Sequence, residues 1–182
     1  MPNNKIDKYP ITVMDCHEYI KRICDILIQC DIHIVAMDFD QTVYLNDEEK
    51  FKIEALIFME EMWKRGAKVA IATHRTIFDK YEAFTGRLSN ELIDDMFCVA
   101  KYDNNVYSNK NQHIIEIFNH YISVVKQKNT RVNNIILFDD LETNISAAIM
   151  AGFYAIHINC NTGLKLSDLF NSIDICMLNL SF

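Results

Sequence analysis

Five short runs constrain the fold most: HIVAMDF (33–39), KVAIAT (68–73), FCVA (97–100), NNIILFDD (133–140) and FYAIHI (153–158). They are too apolar to leave one face of a strand in water. Stretches with helical periodicity lie between them. Buried strands alternating with helices predict a parallel sheet covered on both faces, a Rossmann-like α/β fold. Ligands of such sheets bind at the carboxyl ends of the strands.

The helical stretches can be placed individually. NDEEKFKIEALIFMEEMWKRG (46–66) predicts one long helix, with Asn46 and Glu49 as a capping box and Gly66 as its stop. Ile53, Leu56, Ile57 and Trp63 fall near helical spacing on it. FDKYEAFTGRL (78–88) and SNELIDDM (89–96) predict short helices. NKNQHIIEIFNHYISVVKQ (109–127) predicts a long one, and ETNISAAIMAG (142–152) another. MDCHEYIKRICDILIQC (14–30) predicts a helix before the first strand. Residues 1–31 are therefore read as a helical N-terminal extension, set on the sheet edge or in a dimer contact. Residues 32–182 are read as one domain. Only 4 glycines and 2 prolines occur, which fits a chain without a long linker.

A formal net charge of −7 argues against a nucleic-acid surface or an anionic membrane as the main partner. The 6 cysteines form no C-x-x-C pair and no zinc-spaced cluster with histidine. Free thiols in a reducing, cytoplasmic setting are the expectation. No apolar leader is evident at the N-terminus, and no apolar run approaches membrane-spanning length. The Asn-x-Ser matches at Asn144 and Asn179 read as chance without a secretory signal.

The candidate site lies at the strand ends. IVAMDFDQT places Asp38 and Asp40 at the tip of the first strand, and residues two apart can share a side. IILFDD places Asp139 and Asp140 at the tip of another. If the two strands are neighbours, four carboxylates converge, which is untenable without a cation. The ligands are all oxygen, which suits magnesium, and no His or Cys adjoins them to suit zinc. KVAIATHRT ends instead in hydroxyl and cationic groups. Thr73 can donate to a phosphate oxygen, and Arg75 can fork onto a phosphate or carboxylate. Lys110, at the start of the long helix, opposes the helix dipole, as a residue facing an anion would. His74 is the one histidine near these groups; His17, His33, His113, His120 and His157 show no metal spacing.

Taken in order, D-x-D-x-T, a strand ending in Thr, an isolated Lys and D-D-x-x-x-N (Asp139, Asp140, Asn144) resemble the haloacid dehalogenase (HAD) superfamily over roughly residues 32–160. Within it the chain is most similar to the magnesium-dependent phosphatase-1 family. His74-Arg75-Thr76, Tyr107-Ser108-Asn109-Lys110 and Leu137-Phe138-Asp139-Asp140 followed by Asn144 stand where that family has S-R-T, Y-P-G-S-K and F-F-D-D-x-x-x-N. The departures are His74 in place of the family's phosphate-binding serine, Thr73 one residue early, and Tyr44-Leu45-Asn46 in place of aromatic residues.

The resemblance implies a HAD core without a large cap, because about 36 residues separate Thr73 from Lys110. It implies Asp38 as the nucleophile that forms an aspartyl-phosphate, and Asp40 as general acid and base. Mg2+ would be held by Asp38, the Asp40 carbonyl and Asp139, with Asp140 close by. Thr73 and Lys110 would bind the transferring phosphoryl group, and Thr42, His74, Arg75 and Asn144 would contact substrate. The implied substrate is a phosphorylated small molecule or phosphoprotein: a sugar phosphate or a phosphotyrosyl protein. Three alternatives accompany it: a non-catalytic phospholigand-binding protein, a mononucleotide phosphatase, and a signalling receiver domain. The order of the motifs disfavours the last.

Overall fold

The computed structural model describes residues 13–73, 80–100, 111–125 and 134–178. Helix α1 (Val13–Gln29) precedes strand β1 (Ile34–Met37). A small hairpin follows, β2 (Tyr44–Leu45) and β3 (Lys50–Phe51), then α2 (Ile53–Lys64) and β4 (Lys68–Thr73). Next come α3 (Tyr81–Thr85), α4 (Asn90–Asp95), β5 (Phe97–Ala100) and α5 (Asn111–Val125). The chain continues through β6 (Ile135–Asp139), α6 (Glu142–Met150), β7 (Tyr154–His157) and α7 (Leu166–Leu178).

Five strands form one sheet in the order β5-β4-β1-β6-β7, and every pairing is parallel. Counted among themselves in chain order, they run 3-2-1-4-5. This is the Rossmann order, whereas receiver domains have 2-1-3-4-5, so the sheet argues against the receiver alternative. The strand order reverses between β1 and β6, which pair Met37 with Phe138 at their carboxyl ends. A crevice at such a reversal is where open α/β sheets bind ligands.

Alternate strand residues feed two cores, as a pleated strand requires. Val35, Met37, Val69, Ile71, Ile136 and Phe138 share one core with residues of α1, α2 and α7. Ile34, Ala36, Ala70, Ala72, Ile135 and Leu137 share the other with α5 and α6. Helix α1 contributes Ile20, Ile23, Cys24 and Leu27, each at most 1% exposed. Their i, i+3, i+4, i+7 spacing makes one stripe, and each large side chain buried contributes roughly 1.5–3 kcal/mol. The helix expected before β1 thus lies in the main core on one sheet face, not at the sheet edge.

Two expectations need correction. The long helix expected from Asn46 begins only at Ile53, with Lys52 as an N-cap that makes no side-chain capping bond. The Asn46/Glu49 capping box is absent. Residues 44–51 pair as a hairpin because Tyr44 and Phe51 pack onto Phe39 and Phe84, burying aromatic surface that a helix start would expose. Helix α7 is an element the sequence reading did not assign. Gly66 does stop α2: at φ +87° it occupies the left-handed region that glycine tolerates, and its N–H donates to the Trp63 carbonyl. The cysteines are all free. Among the described residues no helix is long and apolar enough to cross a membrane.

Candidate metal and phosphate site

Asp38 follows the last residue of β1 and is 5% exposed. Its N–H donates to the Phe138 carbonyl at 2.8 Å, which fixes it beside the end of β6. Asp139, the last residue of β6, is fully buried. One carboxylate oxygen from each of Asp38, Asp139 and Asp140 lies within 4.8 Å of the others. Three carboxylates at that spacing, two of them buried, could hold a cation. The oxygen-only donor set fits a hard divalent ion.

Asp40 differs from the expectation of four converging carboxylates, since its side chain is not a member of this group. Instead it accepts a hydrogen bond on Oδ1 from Asn46 Nδ2 at 3.0 Å. The loop between them is tight. Gln41 has φ +58°, its N–H donates to the Tyr44 carbonyl at 2.6 Å, and the Val43 and Tyr44 N–H groups both donate to the Phe39 carbonyl. A non-glycine residue in the left-handed region costs about 1–2 kcal/mol. That strain falls between two candidate residues, Asp40 and Thr42, as strain at functional loops does.

Thr42 is fully buried, and its Oγ1 has no hydrogen-bond partner among the described residues. Leaving a buried hydroxyl unsatisfied costs about 1–3 kcal/mol. The Thr42 carbonyl accepts from Leu164 N–H at 3.1 Å, which seats the loop after β7 against the site loop. Gly163 makes that approach possible. At φ +61°, a Cβ there would come within 2.7 Å of Lys52 Cγ and 3.1 Å of the Thr42 carbonyl oxygen.

Asn144 has a placement the sequence reading did not anticipate. It is 1% exposed, and its Nδ2 donates to both oxygens of Asp139, at 3.0 and 3.1 Å. Leu141 N–H adds a third bond to Asp139 Oδ1 at 2.9 Å. Asn144 therefore orients Asp139 through its amide. His157, read as a core or edge histidine, is exposed on edge strand β7, and its Nε2–H donates to the Asp140 carbonyl at 2.9 Å. Only the tautomer protonated on Nε2 makes that bond. Asn46 was missed because its spacing to Glu49 imitates a helix cap. His157 carries no sequence signal, because its partner is a backbone carbonyl just past the end of the neighbouring strand.

Thr73 ends β4, beside β1, and is 2% exposed. It thus sits on the carboxyl edge of the sheet together with Asp38 and Asp139. His74, Arg75 and Lys110 lie outside the described residues. A separate groove of about 350 Å³, lined by His17, Leu56, Ile57, Glu60, Lys64 and Arg87 among others, includes none of the candidate residues. No protein-family model matches the chain, and no curated protein matches it.

Proposed function

We propose that this protein is a magnesium-dependent phosphomonoester hydrolase of the HAD type that works through a phospho-aspartate. The observation that carries the reading is the trio of carboxylates at the reversal point of the sheet, Asp38 just after β1 with Asp139 ending β6 and Asp140 just after it. In this reading Mg2+ is held by Asp38, the Asp40 carbonyl and Asp139, with Asp140 beside them, and supplies positive charge that lets an anionic nucleophile approach an anionic phosphate.

The protein's own groups do the rest. Asp38 attacks phosphorus, and Asp40 protonates the departing oxygen. Asp40 then takes a proton from the water that hydrolyses the aspartyl-phosphate. In this reading Thr42 Oγ1, buried and without a hydrogen-bond partner among the described residues, donates to the phosphate. In the same reading Thr73 and Lys110 bind the transferring phosphoryl group, and His74 and Arg75 contact the substrate.

Only the β2–β3 hairpin and α2 lie between β1 and β4, and the described residues between β4 and β5 form only α3 and α4. These support a site without a large cap, open to a phosphotyrosyl protein or a sugar phosphate. The test is hydrolysis of p-nitrophenyl phosphate by purified protein in Mg2+ and in excess EDTA, beside Asp38→Asn. Turnover that needs Mg2+ and disappears in folded Asp38→Asn is expected. Turnover that persists in Asp38→Asn, or none by wild type on aryl or alkyl phosphates, overturns the proposal.

A further inference from the structure

We propose that the groove along α2 docks an acidic, apolar segment of a phosphoprotein substrate, so that the protein acts on phosphoproteins and not on sugar phosphates. The inference rests on the phosphatase reading above and names its substrate class. The groove, about 350 Å³ in volume, follows a face of α2 that the core leaves partly open. Ile53, Ile57, Glu60 and Lys64 line it at i, i+4, i+7 and i+11, one stripe of a helix, with the buried Leu56 beside them. Ile53 is 52% exposed, a large apolar side chain left in water. Arg87, between α3 and α4, lines the groove as well.

One end of the groove adjoins the candidate site. Arg87 lies over the Phe51 ring, 5.0 Å from its centroid, and Phe51 belongs to strand β3 of the hairpin. Phe51 pairs with Tyr44, whose carbonyl accepts from the Gln41 N–H next to Asp40. Lys52, the residue before Ile53, donates its N–H to the Val43 carbonyl at 2.8 Å. Arg87 and Ile53 therefore stand beside the hairpin that follows the site loop. From Ile53, α2 runs to Lys64, about 16 Å away at a rise of about 1.5 Å per residue. An extended peptide covers that length in about five residues. A span of this kind suits a polypeptide and exceeds a single sugar ring.

The polar groups decide the sign of the partner. Both acids of the groove are engaged on both oxygens by groups of this chain. Glu60 accepts from Ser89 N–H on one oxygen and from Ser89 Oγ on the other. Glu61 accepts from His17 and Lys64 on Oε1, each at 3.2 Å, and from Arg65 on Oε2 at 2.7 Å. The cations keep donors in reserve. Lys64 spends one N–H on Glu61 and retains the others. The Arg87 guanidinium has no carboxylate partner among the described residues. An arginine held over an aromatic ring keeps the N–H groups of its planar fork available to a carboxylate. The groove thus offers apolar surface and unspent N–H donors, the complement of a segment that mixes leucine-like and glutamate-like side chains.

Two phosphotyrosyl peptides test this, with about five residues on either side of the phosphotyrosine. One alternates Glu with Leu and the other Lys with Leu. p-Nitrophenyl phosphate, too small to reach along α2, is the reference. In Mg2+, wild type is expected to cleave the Glu/Leu peptide with a kcat/KM roughly 10-fold or more above that for the Lys/Leu peptide. Arg87→Glu is expected to lower the Glu/Leu value roughly 10-fold, to raise the Lys/Leu value, and to leave the aryl phosphate within about 3-fold. Ile53→Asp removes the exposed apolar contact in the first turn of α2, where an acid suits the helix dipole, and the same selective loss on the Glu/Leu peptide is expected. A folding defect lowers every substrate alike and gives no rescue by the Lys/Leu peptide. Wild type that cleaves both peptides equally, or the aryl phosphate alone, overturns the docking groove and leaves the phosphatase reading standing. So do variants that change nothing, or that lose equally on peptide and aryl phosphate. Wild type that cleaves neither peptide nor the aryl phosphate overturns the phosphatase reading, and this inference with it.

Discussion

Replacing Asp140 by Asn is expected to stabilise the metal-free protein while weakening its hold on a divalent cation. Asp140 offers a carboxylate oxygen within 4.8 Å of oxygens from both Asp38 and Asp139. Two unit charges at that limit repel by about 3.5 kcal/mol at an effective dielectric of about 20. Two such pairs come to about 7 kcal/mol before solvent screening. Asp140 is only half-buried, so water screens much of this, and the net gain on removing its charge is about 1–3 kcal/mol. For a domain of this size that raises Tm by about 2–12 °C. Saturating Mg2+ acts in the opposite sense. A ligand at a hundred times its Kd stabilises the native state by about 2.7 kcal/mol, and the variant, binding more weakly, gains less. Thermal or urea unfolding of both proteins in EDTA and in Mg2+ reads this without any activity measurement. The variant is expected to be the more stable in EDTA, and its advantage to shrink or reverse in Mg2+. A variant less stable in EDTA, or Mg2+ raising both midpoints equally, would refute the reasoning.

Glu61 gives a pH prediction. Burial raises its pKa, but hydrogen bonds from Arg65, His17 and Lys64 outweigh that and bring it down to about 2 from the ordinary 4.5. A folded-state value below the unfolded one contributes stability that is fully present above pH 4.5 and lost as the pH falls toward 2, here about 2–3 kcal/mol. The stability gap between wild type and Glu61→Gln should be constant from pH 7 to 5 and narrow below 4.5; a gap flat down to pH 3 counts against it. The buried Tyr121 hydroxyl donates to the Val69 carbonyl at 2.6 Å and accepts from Phe97 N–H at 3.0 Å. Tyr121→Phe strands both groups, so we expect a loss of about 1–3 kcal/mol and faster hydrogen exchange at Phe97 in edge strand β5; unchanged exchange there would contradict this. Gly163→Ala forces a Cβ against Lys52 and the Thr42 carbonyl in a left-handed backbone, so a loss of about 1–2 kcal/mol and a lower kcat/KM are expected. A neutral outcome would show that the loop after β7 does not hold the site loop.

The strands were legible because their apolarity is local information. IVAM and IILFD are buried at every position, and the acids that end them stand out in sequence for the same reason. Helix stripes such as Ile114, Ile117 and Tyr121 are legible by spacing, and all three are buried in α5. What was not legible depended on distant partners. Tyr44–Leu45 and Lys50–Phe51 are strands of two residues each, too short for a pattern, and they form because Phe39 and Phe84 offer aromatic surface. Asn-Asp-Glu-Glu between them reads as a helix start by every local rule. The face taken by α1 was undetermined for the same reason, since its stripe specifies burial but not the surface that buries it. That D-D-x-x-x-N turns its amide onto Asp139 follows from α6 folding back on the end of β6, which spacing alone does not encode.

The supports around the acids share a physical logic that the motif by itself does not state. Asp40 is held by the Asn46 amide, Asp139 by the Asn144 amide and the Leu141 N–H, and the Asp140 backbone by the His157 ring. An amide or a peptide N–H orients a carboxylate without cancelling its charge. A lysine or arginine in the same place would orient it too, but would occupy the field that a cation needs. Neutral donors therefore solve a specific problem. They fix the direction of the carboxylates to within a hydrogen bond without themselves offsetting the negative charge at the reversal point of the sheet. On this account the stability forgone by crowding Asp38, Asp139 and Asp140 is not a defect of the fold, since like charges arranged this way are unfavourable alone and favourable around a divalent ion.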